Sequence, residues 1–90
     1  MRGEAMQYRM SVRVMPKAGI SDPEGKAIHD AALQLGYHQV TSVHAGKSFE
    51  VDGEYDSEEA ARQEAHSLAA RLLANPVIET YEIVDVSELA

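Results

Sequence analysis

Tyr8-Arg9-Met10-Ser11-Val12-Arg13-Val14 alternates apolar and polar side chains without a break. Successive side chains of an extended chain point to opposite faces, so the stretch predicts a half-buried strand with Tyr8, Met10, Val12 and Val14 inward. The other face, Arg9, Ser11 and Arg13, is wet and basic. Residues 1–5 precede it without pattern and read as a frayed extension. After Pro16, residues 17–25 read as a loop leading into a helix. Ser21 or Asp22 can accept a bond from an unpaired helical N–H, Pro23 has no N–H to waste there, and Glu24 complements the positive helix end. Ile28, Ala31, Ala32 and Leu35 then recur at helical spacing over residues 23–35, and Gly36 stands where a left-handed terminating residue is expected.

A second extended region begins at Val40. Val43, Ala45, Phe49 and Val51 share one parity, and His44, Ser48, Glu50 and Asp52 the other. Lys47 falls among the apolar set and Val40 outside it, which predicts a single strand bent or bulged near Gly46. A hairpin turning at Ala45-Gly46 is the alternative. Asp56-Ser57-Glu58-Glu59 has the acceptor and the later Glu of a helix start. Ala61, Ala65, Leu68, Ala69, Leu72 and Leu73 line one side of that second helix, and Asn75-Pro76 ends it. In a last strand from Val77 to Val86, Val77, Tyr81 and Ile83 point one way, while Ile78, Val84 and Val86 point the other. Such a strand is central in a sandwich or meets another subunit. With both helices on one face of the sheet, the reading is self-association. The order is β-α-β(β)-α-β, an α+β sandwich of the ferredoxin-like kind with an antiparallel sheet.

Ninety residues make one domain with one small core. Eight Lys+Arg against fifteen Asp+Glu give a formal charge of −7, which argues against a nucleic-acid backbone as partner. Cysteine is absent, which removes disulfides, thiolate nucleophiles and zinc ribbons together. No apolar run approaches the roughly 18 residues that cross a bilayer, and the first nine residues carry no signal-peptide h-region. The expectation is a soluble, cytoplasmic chain with no membrane partner.

The residues offer little to chemistry. His29, His38, His44 and His66 form no pair at chelating spacing, no serine sits in a nucleophile elbow, and Glu58, Glu59 and Glu64 fall on an exposed helix surface. Ala45-Gly46-Lys47-Ser48 invites comparison with a phosphate loop, but position 41 is Thr41 where the first glycine is required. The chain is thus expected to hold no catalytic residue, cofactor or metal of its own. Lys47 is the charge of interest, since its parity is inward. Its stem can cover apolar surface with the amine in water, or it can meet an acidic partner or ligand.

Leu72-Leu73-Ala74-Asn75-Pro76-Val77-Ile78-Glu79-Thr80-Tyr81 is more specific. It resembles the signature of the PurS family, the small subunit of bacterial phosphoribosylformylglycinamidine synthase. Asp22-Pro23-Glu24-Gly25 is similar to that family's DPxG element, and Gly46-Lys47-Ser48-Phe49-Glu50 to its GKxxE element. The resemblance covers roughly residues 6–86 in order and spacing. Ala45 stands where a bulkier apolar residue is commoner, and the second helix lacks a cysteine that some members carry. The resemblance implies a non-catalytic part in de novo purine synthesis. The full complex turns formylglycinamide ribonucleotide, glutamine, ATP and water into formylglycinamidine ribonucleotide, glutamate, ADP and phosphate. A PurQ glutaminase releases ammonia, and a PurL synthetase uses ATP and magnesium. The small subunit, a homodimer or tetramer, bridges them and helps ammonia pass. Interface residues are then expected at Lys47 and Glu50 for polar specificity, and at Asn75, Pro76 and Tyr81 for shape. A competing reading is a dimeric ferredoxin-like module that senses a small ligand, with Gly36 and Gly46 lining its pocket. Against it, Gly19 is the only glycine between the first strand and the first helix.

Overall fold

The alternating stretch forms β1, Met6–Pro16, and it is the centre of the molecule. In the computed structural model, which describes residues 5–89, it pairs antiparallel with β2 (Lys47–Tyr55) on one edge and β3 (Glu79–Glu88) on the other. The frayed extension expected at 1–5 lies, except for Ala5, outside the described residues. Two helices, α1 (Pro23–Gln34) and α2 (Glu58–Leu68), complete the expected α+β class.

Tyr8, Met10, Val12 and Val14 all point to one face, and each is at most 8% exposed. They meet Ala61 and Ala65 of α2 and Ala69 just beyond its end, one residue per helical turn. Alanine at the contact lets the helix lie close to the sheet, so the volume of the core comes from the strand side. Ser57, one residue later than the acceptor read from the sequence, caps α2 by accepting from the Ala60 N–H.

Four local expectations fail for identifiable reasons. First, residues 40–46 are irregular, and β2 starts as one strand at Lys47. Gly46 lies so close under β1 that a Cβ would stand 2.4 Å from the Val14 carbonyl oxygen. Second, α2 runs into a π-helical turn, Ala69–Leu73, in which the Ala74 N–H donates to the Ala69 carbonyl at 2.9 Å. The wider turn brings Ala74 onto the sheet in place of Leu72, which turns to solvent, while Leu73 stays half-buried. Third, Asn75 to Ile78 form a turn, so the last strand starts at Glu79 and not at Val77. A bulge in it then leaves Val84 unpaired, because Ser11 faces Asp85 while Val12 faces Ile83. The inserted residue reverses the parity, and Val86 joins Tyr81 and Ile83 on the helix side. The sheet's other face is therefore polar, and β3 is not apolar on both sides.

The fourth concerns α1. Its start and stop are as read: the Asp22 side chain caps it, Pro23 opens it, and Gly36 ends it at φ +98°. The Tyr37 N–H donates to the Ala32 carbonyl and the Gly36 N–H to that of Leu33, the bond pair of a Schellman ending. Yet α2 alone covers the sheet. Within α1 only Gly25 is buried, and the stripe Ile28, Ala31, Leu35 is exposed, Leu35 at 78%. The radius of gyration is 17.4 Å, against roughly 12 Å for a compact chain of this length. Residues 22–45 form an arm.

Replacing Ala65 by leucine should force α2 off β1 and lower stability by about 1–3 kcal/mol. Leucine at the exposed neighbour Ala70 should change it by no more than about 0.5 kcal/mol. Urea unfolding at one chain concentration reads both.

Candidate functional site

Three stretches singled out in the sequence meet at one end of the sheet. Asp22, Pro23 and Glu24 from the start of α1, Gly46 and Lys47 from the start of β2, and Ile78 and Glu79 from the start of β3 line one open cleft of about 290 Å³. Each belongs to a segment that enters a strand or helix, and antiparallel pairing puts the starts of β2 and β3 against the same end of β1: Val14 faces Lys47 and Tyr81, and Pro16 faces Glu79.

The polar groups of the cleft hold one another. One Asp22 carboxylate oxygen accepts from the Gly25 N–H at 3.0 Å and the other from the Ala45 N–H at 2.7 Å. These two bonds, Gly25 first, hold its carboxyl below the ordinary 3.8. Gly25 is required here, since a Cβ would lie 2.2 Å from the Val43 carbonyl oxygen. One Glu79 oxygen accepts from the Asn75 N–H at 2.7 Å, and the other stands 3.5 Å from Lys47 Nζ. The Asn75 bond, helped by the Lys47 charge, holds the Glu79 carboxyl below the ordinary 4.5. Asn75 also shapes the turn with its own side chain, accepting from the Val77 N–H at 3.0 Å, while Lys17 Nζ donates to the Pro76 carbonyl at 2.7 Å. Beside these groups Val77 is 76% exposed, and Ile78 is also open to solvent.

The structure thus joins Lys47 to Asn75 through Glu79, places Pro76 and Tyr81 on a second cleft that Glu79 also lines, and separates Glu50 from them. Glu50 faces the opposite side of the sheet, where Arg9 makes two bonds to Asp52 at 2.9 and 3.0 Å and lies 3.2 Å from Glu50. Arg13 pairs there with Glu82, so the stripe that reads as basic lies in a net acidic face that also carries Glu54 and Asp85. Tyr81 sits on the helix side, its hydroxyl bonded to His66 Nδ1 at 3.2 Å. Glu79 was not legible as a site residue, although it had a signal: it shares the inward parity of Tyr81 and Ile83, as Lys47 shares that of Phe49 and Val51. Two opposite charges at inward positions on strands flanking β1 are a pair waiting for the register. Gly36 and Gly46 line separate clefts, so they form no common ligand pocket. Among the described residues, no three His, Asp or Glu side chains are grouped to hold a metal ion.

The family described as "PurS: Phosphoribosylformylglycinamidine (FGAM) synthase" matches residues 9–87. A phosphoribosylformylglycinamidine synthase subunit PurS of Archaeoglobus fulgidus is 44% identical over 76% of this chain and 85% of its own length. That of Mycobacterium leprae is 40% identical over 89% and 98%. Among solved structures, Thermus thermophilus PurS superposes with a TM-score of 0.85 at 34% identity, covering 93% of this chain and 99% of that one. A chain in the structure of PurLQS from Thermotoga maritima superposes with a TM-score of 0.77 at 28% identity, covering 92% and 98%.

Lowered carboxyl values have one consequence with a fixed sign. The unfolded chain takes up protons near the ordinary values, before Asp22, Glu79 and the Arg9-paired Asp52 do in the fold. The stability they add is present at neutral pH and is lost as pH falls below about 5. Glu79→Gln, which cannot take up a proton, should flatten that decline in a series of melting temperatures from pH 7 to 3.

Proposed function

The chain belongs to the PurS family of phosphoribosylformylglycinamidine synthase subunits in purine biosynthesis, and from that premise we propose that it is a non-catalytic coupling part. It holds a glutaminase of the PurQ kind against a synthetase of the PurL kind. Ammonia released at the first then meets the ATP-activated amide at the second before bulk water takes it, a gain from positioning and not from bond chemistry. ATP and magnesium belong to the synthetase. The assembly works in the cytoplasm, and no helix among the described residues is long and apolar enough to cross a membrane.

One observation supports this reading above others: the three motif segments that carry the family likeness converge on a single cleft in which the Asp22 and Glu79 carboxylates are already engaged in holding its shape. Asp22 is bound to two backbone N–H groups, and Glu79 is shared between a backbone N–H and Lys47. Groups so occupied are poor general acids or bases but good fixtures for a surface. Around them Lys47, Val77 and Ile78 stand open to a partner. Lys47, Asn75 and Pro76 form the partner contact at this end. Glu50 takes part only through the opposite face, and Tyr81 only by supporting β3 from the helix side.

The arm supports self-association. Ile28, Leu35 and Tyr37 are 48%, 78% and 62% exposed on an element that its own sheet does not cover. An apolar stripe of this kind is most simply covered by a second copy, giving a homodimer or a pair of such dimers.

In a reconstituted mixture of glutaminase, synthetase and this chain, leaving the chain out should abolish glutamine-dependent amidination, and the chain alone should turn over nothing. Lys47→Ala should lower the glutamine-dependent rate several-fold while the isolated variant melts as the wild type does. An unchanged rate with an unchanged complex size would remove Lys47 from the contact.

A further inference from the structure

The arm of residues 22–45 joins the sheet through two leads, the loop from Pro16 and the residue Gly46, and one side chain connects the places where it leaves and returns. Asp22 is the first residue of the arm and Ala45 the last, and the Asp22 carboxylate bonds the Ala45 N–H at 2.7 Å. Its other oxygen caps α1 through the Gly25 N–H. We propose that Asp22 is a positioning residue: by bridging α1 to Ala45 it closes the base of the arm and fixes the angle at which the arm leaves the sheet, a task separate from capping the helix.

Three further observations agree. The return segment runs tight against the first turn of α1, with no room for a Cβ at Gly25 beside the Val43 carbonyl. Farther out, His29 Nε2 and the Val40 carbonyl oxygen, 3.0 Å apart, tie the same segment to the helix. At the base, Gly46 is pressed under Val14 and Met15, so the return lead is anchored to β1 within one residue of the bridge. The arm is therefore a closed ring with a stiff neck. Without the Asp22–Ala45 bond, its two leads are free to splay independently. This explains one feature of the DPEG and GK stretches: Asp22, Gly25 and Gly46 are far apart in sequence but serve one joint. The proposal deepens the self-association reading, because an arm that must meet a second copy gains by being held at the right angle beforehand.

Asp22→Ser separates the two tasks. A serine hydroxyl can still cap α1 at Gly25, but it is shorter and offers one oxygen where the carboxylate places two, so it does not reach Ala45 as well. Ala45→Pro removes the same bond from the donor side and leaves the cap intact. The chain has no cysteine, so Gln39→Cys on the arm and Ser87→Cys on β3 place two spin labels uniquely. The doubly labelled chain is diluted into unlabelled protein, so that only distances within one chain are read. The parent should give one narrow distance distribution. Both bridge variants should broaden it by about twofold or more at unchanged helix content by circular dichroism, and should raise the dimer dissociation constant by about tenfold. A distribution as narrow in both variants as in the parent overturns the proposal. If the parent sediments as a monomer while the variants still broaden, the self-association reading fails and the joint stands.

Discussion

Burial of one strand against one short row of alanines holds this molecule together. Among the described residues β1 alone has a strand on each side, and its inward residues Tyr8, Met10, Val12 and Val14 are sealed by Ala61, Ala65, Ala69 and Ala74. The arrangement uses a single helix and its π-helical turn, and Phe49, Val51, Tyr55, Tyr81, Ile83 and Val86 of the flanking strands pack against it. A 90-residue chain that commits one of its two helices to an arm has a thin core of its own. From that constraint the rest follows. The stripe on α1 stays exposed, and the arm is held at its base by the Asp22–Ala45 bond. The strand starts opposite the bulge are free to be shaped for contact.

The two faces of the sheet divide the work. The helix face is apolar and closed. The other face is a ladder of Arg9 with Asp52 and Glu50, and Arg13 with Glu82, all more than two-fifths exposed. Pairs of this kind in water contribute little to stability, and with Glu50, Asp52, Glu54, Glu82 and Asp85 around only two arginines the face carries net negative charge. A second copy is accordingly better placed on the apolar stripe of the arm than on this face. Membership in a synthase family fits the division: the same small body carries an exposed apolar stripe at one place and a shaped cleft at another.

Much of this was legible in the sequence, and the failures are physical. Strict alternation from Tyr8 to Val14 gave β1, and Asp22-Pro23 with Gly36 gave both ends of α1, because strand pleat and helix caps are local effects. The destination of α1 was not legible: an amphipathic stripe says that something apolar covers it but not whose atoms they are. In the LLANP stretch, a π-helical turn shifted the contact from Leu72 to Ala74. In β3, one bulged residue, Val84, reversed the faces of everything after it, so the strand read as apolar on both sides when its partner contacts make it one-sided. The candidate site shows the same pattern. Lys47 and the Asn75-Pro76 turn are readable from the sequence as candidates, since a motif and a turn are local. Glu50 was grouped with Lys47 by motif although three residues of extended chain put the two on opposite faces. Glu79 was overlooked because its value lies in a pairing across β1.

On the proposal made above, a second copy of the chain completes the molecule by covering the arm. Sedimentation equilibrium of the wild type beside an Ile28→Asp, Leu35→Asp double variant tests it most directly. The account predicts dimers or larger at micromolar concentration for the wild type, and a folded monomer with unchanged strand content for the variant. A wild type that stays monomeric over the whole range, or a variant that associates equally well, would contradict it.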